Sequence, residues 1–284
     1  MLTDELIKLN NLQLAAKVVS EQVMLGIHGS KRSGIGIEFE QYRHYQPGDD
    51  PKRIDWKLFA RTQKHLIRES ATESNLHIRF VLDLSGSMNY TEKGISRLHC
   101  SKLILASLAY LGYRQNDQMS LYGLKNGYLE VQVPDGKQAF QRILYELEKA
   151  EAGGNWPPVT SKFPEFQQKQ KELLVFVSDL FQVQNEWIQF IQHLANPWRE
   201  VLIFQILGKE ELQFDLSGFY RFKDLETGKE IELDATSIRE NMRKKATVFL
   251  QEMDDALQIP HVQVVRSSFQ DPIAPLLINA LRKR

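Results

Sequence analysis

Three features are scarce in this chain, and each scarcity excludes a class of protein. A single cysteine, Cys100, among 284 residues excludes an intrachain disulfide and a zinc site built from several thiolates. No apolar run approaches the roughly 18 residues of a membrane span, and the acidic start with Asp4 and Glu5 is unlike a signal peptide. The 36 basic and 36 acidic residues give a formal net charge of zero, which argues against a nucleic-acid coat. We therefore expect a soluble, cytoplasmic protein with no membrane span.

The composition is that of a globular protein, and the residue patterns change near position 75. Hydrophobic residues make up 42% of the chain and charged residues 25%. Leucine, alanine and valine recur at helical spacing over 2–25, which predicts an amphipathic helix. The irregular stretch 26–68 is rich in glycine, basic residues and aromatic residues, and we expect Trp56 to anchor its packing. The sequence thus predicts an N-terminal helix and irregular segment over 1–75 and a second domain over 76–284.

From His77 onward, strand and helix patterns alternate. The apolar runs predict strands at 77–83, 118–123, 128–133, 172–180, 201–207 and 262–265. Helical patterns lie at 96–113, 137–151 and 183–195, and a hairpin is predicted over 221–233. Ser237 and Glu240 have the spacing of a capping box that would open a long helix ending before Pro260. Alternating strands and helices predict an α/β fold with a mostly parallel central sheet flanked by helices.

The sharpest chemical motif follows the first strand of this second domain. Asp83, Ser85 and Ser87 form the pattern D-x-S-x-S, and Asp179 lies at the end of the buried strand predicted over 172–180. Ligands of open α/β sheets bind at the carboxyl ends of the strands, so adjacent parallel strands would bring these oxygens together. Hard divalent cations prefer oxygen ligands. The sequence predicts a site for Mg²⁺ (or Mn²⁺), although the same residues could cap a helix in a metal-free site.

This pattern resembles the metal-ion-dependent adhesion site of von Willebrand factor A domains, which have a Rossmann-type α/β fold. The resemblance implies that the two serines and a residue of a third loop ligate the metal directly. Asn155 and Thr160 are the candidates for that third position in this chain. It also implies a partner protein that offers an acidic residue to an open coordination position.

A second resemblance covers the upstream segment. Five stretches together look like the signature of the bacterial domain of unknown function 58 family: Gly26 to Ser30, Gly34 to Phe39, Arg43 to Asp50, Arg53 to Trp56, and Ala60 with Arg61. In that family the signature precedes a von Willebrand A-like domain. The resemblance implies a MoxR-type AAA+ ATPase as a possible partner.

The leading functional prediction is a non-enzymatic protein–protein interaction module that acts as an adaptor or a chaperone-like partner of such an ATPase. A divalent-metal-dependent hydrolase or phosphatase is an alternative, but Ser85 stands where aspartyl phosphatases commonly carry a second Asp, and no G-x-S-x-G elbow is present. Nucleic-acid binding through the basic segment 31–68 is the weaker alternative. The same segment could instead be held by ion pairs of Arg43, Arg53 and Arg61 with neighbouring aspartates.

Overall fold

The computed structural model describes residues 11–30, 41–45, 54, 56–69, 76–154, 171–181, 186–268 and 270–282. The helices are α1 (Leu12–Ser30), α2 (Trp56–Thr62), α3 (Arg97–Arg114), α4 (Ala139–Lys149), α5 (Glu186–Leu194), α6 (Lys209–Gln213), α7 (Ala235–Ala256) and α8 (Ile273–Arg282). The strands are β1 (Gln41–His44), β2 (Leu66–Glu69), β3 (His77–Asp83), β4 (Thr91–Glu92), β5 (Ile95–Ser96), β6 (Gln118–Lys125), β7 (Tyr128–Val133), β8 (Glu172–Ser178), β9 (Arg199–Leu207), β10 (Phe219–Lys223), β11 (Glu230–Asp234) and β12 (Val262–Ser268).

A six-stranded sheet forms the centre of the α/β unit, in the order β12-β9-β8-β3-β6-β7. Every neighbouring pair is parallel except β6 and β7, which form an antiparallel hairpin at one edge. All seven residues of β3 and of β8 are buried, including the polar His77, Arg79 and Glu172, as expected of central strands that are covered on both faces. The predicted mostly parallel α/β sheet is therefore confirmed.

Helices cover both faces of this sheet. Val81 of β3 and Phe176 of β8 pack with Trp187 of α5 and Met253 of α7 in one apolar cluster. Because side chains alternate along a strand, Phe80, which precedes Val81, faces the opposite side, where α3 lies against β3, β6, β8 and β9. The two layers fix the strand ends, and with them the loops that carry the chemistry.

The residues fall into two compact units, 24–75 and the rest of the chain. The first part of α1 belongs to the α/β unit, where Ser20 Oγ donates to the carbonyl oxygens of Ser107 (2.8 Å) and Ala16 (2.6 Å). In the smaller unit β1 pairs antiparallel with β2. The expected anchoring role of Trp56 is wrong, because its side chain is 56% exposed. The predicted ion pairs of this segment stay a prediction, because Arg53 and the aspartates 49, 50 and 55 lie outside the described residues.

Two helices begin at other residues in the structure than the sequence predicted. The amphipathic pattern predicted a helix over 2–25; the described helix runs from Leu12 to Ser30, and residues 1–10 lie outside the described residues. The capping box of Ser237 and Glu240 is wrong. Helix α7 begins at Ala235, and the Asp234 carboxylate accepts a hydrogen bond from the Thr236 amide (3.0 Å). Strand β11 runs straight into α7, so the cap falls on the last strand residue.

A buried ionic cluster lies at the amino ends of the central strands. Glu172 opens β8, and its carboxylate accepts hydrogen bonds from Arg79 (Nε 2.9 Å, Nη2 2.7 Å) and from Arg199 Nε (2.7 Å). Arg79 Nη1 also donates to the Tyr122 hydroxyl (2.7 Å). All four residues are less than 9% exposed. One buried carboxylate thus links three adjacent strands through two guanidinium groups.

Candidate metal site at the carboxyl ends of the strands

Asp83 is the last residue of β3, and its fully buried carboxylate is held from two sides. Oδ1 accepts a hydrogen bond from the Ser85 amide (2.8 Å), and Oδ2 accepts one from Ser178 Oγ (2.6 Å) at the end of β8. Burial, and next the charge of Asp179, raise the pKa of Asp83 to about 7, although the bonds from Ser178 and Ser85 act in the opposite direction. The carboxyl group is therefore held in place by two hydrogen bonds, in surroundings that disfavour its charged form.

The two serines of the D-x-S-x-S loop bring their hydroxyl groups together. Ser85 Oγ and Ser87 Oγ lie 3.1 Å apart, and Ser87 stands in the short 3-10 turn Gly86–Asn89. Ser85 is almost completely buried, whereas Ser87 is partly exposed. The loop thus offers two convergent hydroxyl oxygens beside a buried carboxylate.

Asp179 directly follows β8 and is also fully buried. Its Oδ1 accepts a hydrogen bond from the Phe181 amide (3.2 Å), and its carbonyl oxygen accepts one from Gln205 Nε2 (3.1 Å). The next residue, Leu180, adopts a left-handed backbone conformation (φ 60°), which is uncommon outside glycine. This tight turn holds Asp179 at the same edge of the sheet as Asp83.

Sequence reasoning missed Ser178, Glu211 and above all Arg97, the first residue of α3. Its side chain is 1% exposed, and Nη1 donates both to the Ser87 carbonyl oxygen (2.9 Å) and to Asp179 Oδ2. Nη2 donates to Glu211 Oε2 on α6. Although burial by itself lowers the pKa of Arg97, the charges of Asp179 and Glu211 raise it above its usual value, so the guanidinium is charged.

Two aromatic rings enclose the same guanidinium. Its central carbon lies 5.2 Å from the centroid of the Tyr90 ring and 5.8 Å from that of Phe181, within cation–π range. Arg97 Nε is buried and has no hydrogen-bond partner among the residues that the structure describes. The guanidinium therefore connects the D-x-S-x-S loop, the turn after β8 and α6. The only sequence signal for it is a basic residue in the first turn of an apolar helix, where acidic residues are usual.

Two further loops meet the D-x-S-x-S loop at Gly86. The Gly86 amide donates to the Gly154 carbonyl oxygen (2.8 Å), and the Gly153 amide donates to the Leu84 carbonyl oxygen (2.8 Å). A Cβ added to Gly86 would lie 2.5 Å from the Leu225 carbonyl oxygen, in the turn between β10 and β11. The structure therefore brings the start of the predicted third loop to the site. Asn155 and Thr160 lie outside the described residues and stay predictions.

The donor atoms at this edge suit a hard cation, with one reservation. Within the described ranges no three His, Cys, Asp or Glu side chains form a metal-binding group. A cation here would rely on Asp83 or Asp179, the two serine hydroxyls and water, a set that Mg²⁺ and Mn²⁺ accept. The reservation is that Arg97 already neutralises Asp179.

The sheet and this loop define an α/β protein whose site lies at the carboxyl ends of parallel strands. The chain belongs to the family described as protein of unknown function DUF58, whose model matches residues 41–251. The family membership predicted from the sequence is therefore confirmed. None of the described helices is long and apolar enough to cross a membrane.

Relatives and solved structures of this kind are distant. Uncharacterized proteins of Mycobacterium bovis and Mycobacterium tuberculosis are 24% identical over 249 residues, covering 84% of this chain and 76% of theirs. Among solved structures, the conserved hypothetical protein BatB from Bacteroides thetaiotaomicron is 15% identical with a TM-score of 0.45, over 73% of this chain and 98% of that one. The VWA domain of SpRpn10 is 12% identical with a TM-score of 0.43, over 71% and 93%.

Proposed function

We propose that this protein is a non-enzymatic protein–protein interaction module that binds through a divalent cation at the carboxyl ends of β3 and β8. The cation is Mg²⁺ or Mn²⁺. It leaves one coordination position open, and an acidic residue of a partner protein fills it. The partner class that the family resemblance implies is a MoxR-type AAA+ ATPase, toward which the protein acts as an adaptor or chaperone-like factor.

The convergence of Asp83, Ser85, Ser87 and Asp179 carries this proposal. Residues from two strand ends, 92 positions apart at the closest, meet beside a pair of hydroxyl oxygens 3.1 Å apart. The Asp83 carboxylate is buried with two hydrogen bonds but without an arginine or lysine bonded to it in the described residues. A divalent cation would supply the positive charge that no side chain bonded to the Asp83 carboxylate provides.

The enzymatic alternative has less support. A metal-dependent phosphatase of the aspartyl type needs an exposed carboxylate nucleophile, whereas Asp83 and Asp179 are both 0% exposed. Nucleic-acid binding through 31–68 stays a prediction, because much of that segment lies outside the described residues. A salt titration of DNA or RNA binding would test it directly.

Calorimetric titration of Mg²⁺ and of Mn²⁺ into chelator-treated protein tests the metal site. Ser87→Ala removes one proposed ligand from a partly exposed side chain whose hydroxyl lies 3.1 Å from Ser85 Oγ. Ser107→Ala is the matched control, since it removes a buried hydroxyl that donates within α3 to Leu103. We expect about one ion per chain in the wild type and in the control, and an affinity lowered about tenfold or more in Ser87→Ala. Equal affinities in all three proteins would refute a site at these serines.

A further inference from the structure

We propose that Arg97 is the resident cation of this site, and that a divalent ion binds only in competition with its guanidinium. In the protein without metal, Arg97 neutralises Asp179 and holds the D-x-S-x-S loop through the Ser87 carbonyl oxygen. Arg97 then sets the affinity of the site, so that metal binding is weak and conditional. This inference deepens the proposed function and depends on it.

The position of Arg97 carries two costs in the free energy of folding. A cation in the first turn of a helix opposes the helix dipole, and a fully buried guanidinium loses its hydration. Both costs apply to Arg97, because it is the first residue of α3 and its side chain is only 1% exposed. Its compensation comes from Asp179, Glu211, one carbonyl oxygen and the faces of two aromatic rings. Nothing in the apolar pattern of α3 requires a charge at this point.

The contacts of Arg97 are with the groups that a metal would use. Nη1 bonds to the Asp179 carboxylate and to the carbonyl of Ser87, the residue whose hydroxyl is a proposed ligand. A divalent ion seated among Asp83, Ser85, Ser87 and Asp179 would therefore lie close to the guanidinium. Two cations at such a distance in a buried site repel each other strongly. The ion must either displace Arg97 from Asp179 or bind against its charge, and both lower the affinity.

Displacement of Arg97 would reach beyond the metal. The same guanidinium holds Glu211 of α6 and lies against Phe181. Both residues line an apolar hollow of about 470 Å³, together with Phe214, Met242 and Phe249. Metal binding would thus loosen the wall of this hollow that Glu211 and Phe181 form. The shape of the hollow would then depend on whether the site holds a metal ion.

Metal titration of two variants tests the competition. Arg97→Met removes the charge and keeps an unbranched apolar side chain. Arg97→Met combined with Glu211→Gln removes one charge of each sign, which keeps the net charge of the site and avoids leaving Glu211 without its partner. Arg114→Met is the control, because it removes an exposed arginine from the other end of α3, about 25 Å away.

Competition predicts that both Arg97 variants bind Mg²⁺ about tenfold or more tightly than the wild type and the Arg114→Met control. If Arg97→Met does not fold, the charge-balanced double variant decides the question alone. If the Arg97 variants bind Mg²⁺ with the same affinity as the wild type, or more weakly, the competition is refuted. Arg97 is then a structural ion-pair residue, and the metal site itself stands. Binding by none of the proteins would overturn both this inference and the proposed function.

Discussion

The buried carboxyl group of Asp83 makes the stability of the metal-free protein depend on pH. Its pKa is about 7 in the folded protein, against an ordinary value of 3.8. Because the folded value is the higher one, folding takes up a proton between these two pH values, and stability falls as the pH rises through that window. The fall is about 1.4 kcal/mol per pH unit. Between pH 5 and pH 8 the window covers about two units, so the loss is about 3 kcal/mol.

Asp83→Asn removes this titration and keeps the shape of the side chain. We expect the free energy of unfolding of the wild type, relative to that of the variant, to fall by about 3 kcal/mol from pH 5 to pH 8. Urea unfolding followed by circular dichroism at four pH values, with chelator present, measures the difference. Asp224→Asn is the control, since that exposed turn carboxylate has a lowered pKa and stays charged over this range. Parallel curves for the wild type and Asp83→Asn would refute the reasoning.

Two further changes test the fold around the site. Glu172→Gln leaves two buried guanidinium groups without their shared carboxylate and should lower the free energy of unfolding by about 3–5 kcal/mol. The control Glu252→Gln, on the exposed face of α7, should change it by less than about 0.5 kcal/mol. Urea titrations measure both values. Gly86→Ala places a methyl group against the Leu225 carbonyl oxygen and should lower the free energy of unfolding by about 1–3 kcal/mol. In the control Gly153→Ala the added methyl group meets open space, so the loss should be clearly smaller. Equal melting temperatures for the two variants would contradict the close approach at Gly86.

The position of the site could be predicted because it follows from the strands. The runs before Asp83 and Asp179 are mostly apolar, with Arg79 and Glu172 among the exceptions, which predicts strands covered on both faces in a parallel sheet. Parallel strands end at the same edge, so two acidic residues that follow two such runs can meet there. Only the adjacency of β3 and β8 was not fixed by the pattern, and the structure supplies it.

Arg97 could not be predicted, because its partners come from three distant segments. Ser96 caps α3 through the His99 amide, and a basic residue after such a cap is usually solvated. Its burial depends on Glu211, which lies 114 positions later on a helix of only five residues. The cap of α7 was misplaced for a related reason. Asp234 and Ser237 both fit a helix start, and the end of β11 decides between them.

The ionic cluster around Glu172 gives the sheet an electrical direction. At the amino ends of the strands, two buried guanidinium groups share the Glu172 carboxylate. At the carboxyl ends, the carboxylates of Asp83 and Asp179 are both buried, and one buried guanidinium, that of Arg97, pairs with Asp179 and Glu211. These ends are about 20 Å apart along β3. Above pH 7 the charges of these groups sum to opposite signs at the two ends, and dissolved salt does not reach the interior to screen them. The resulting field runs along the strands and favours the arrival of cations at the rim of Asp83 over any anion.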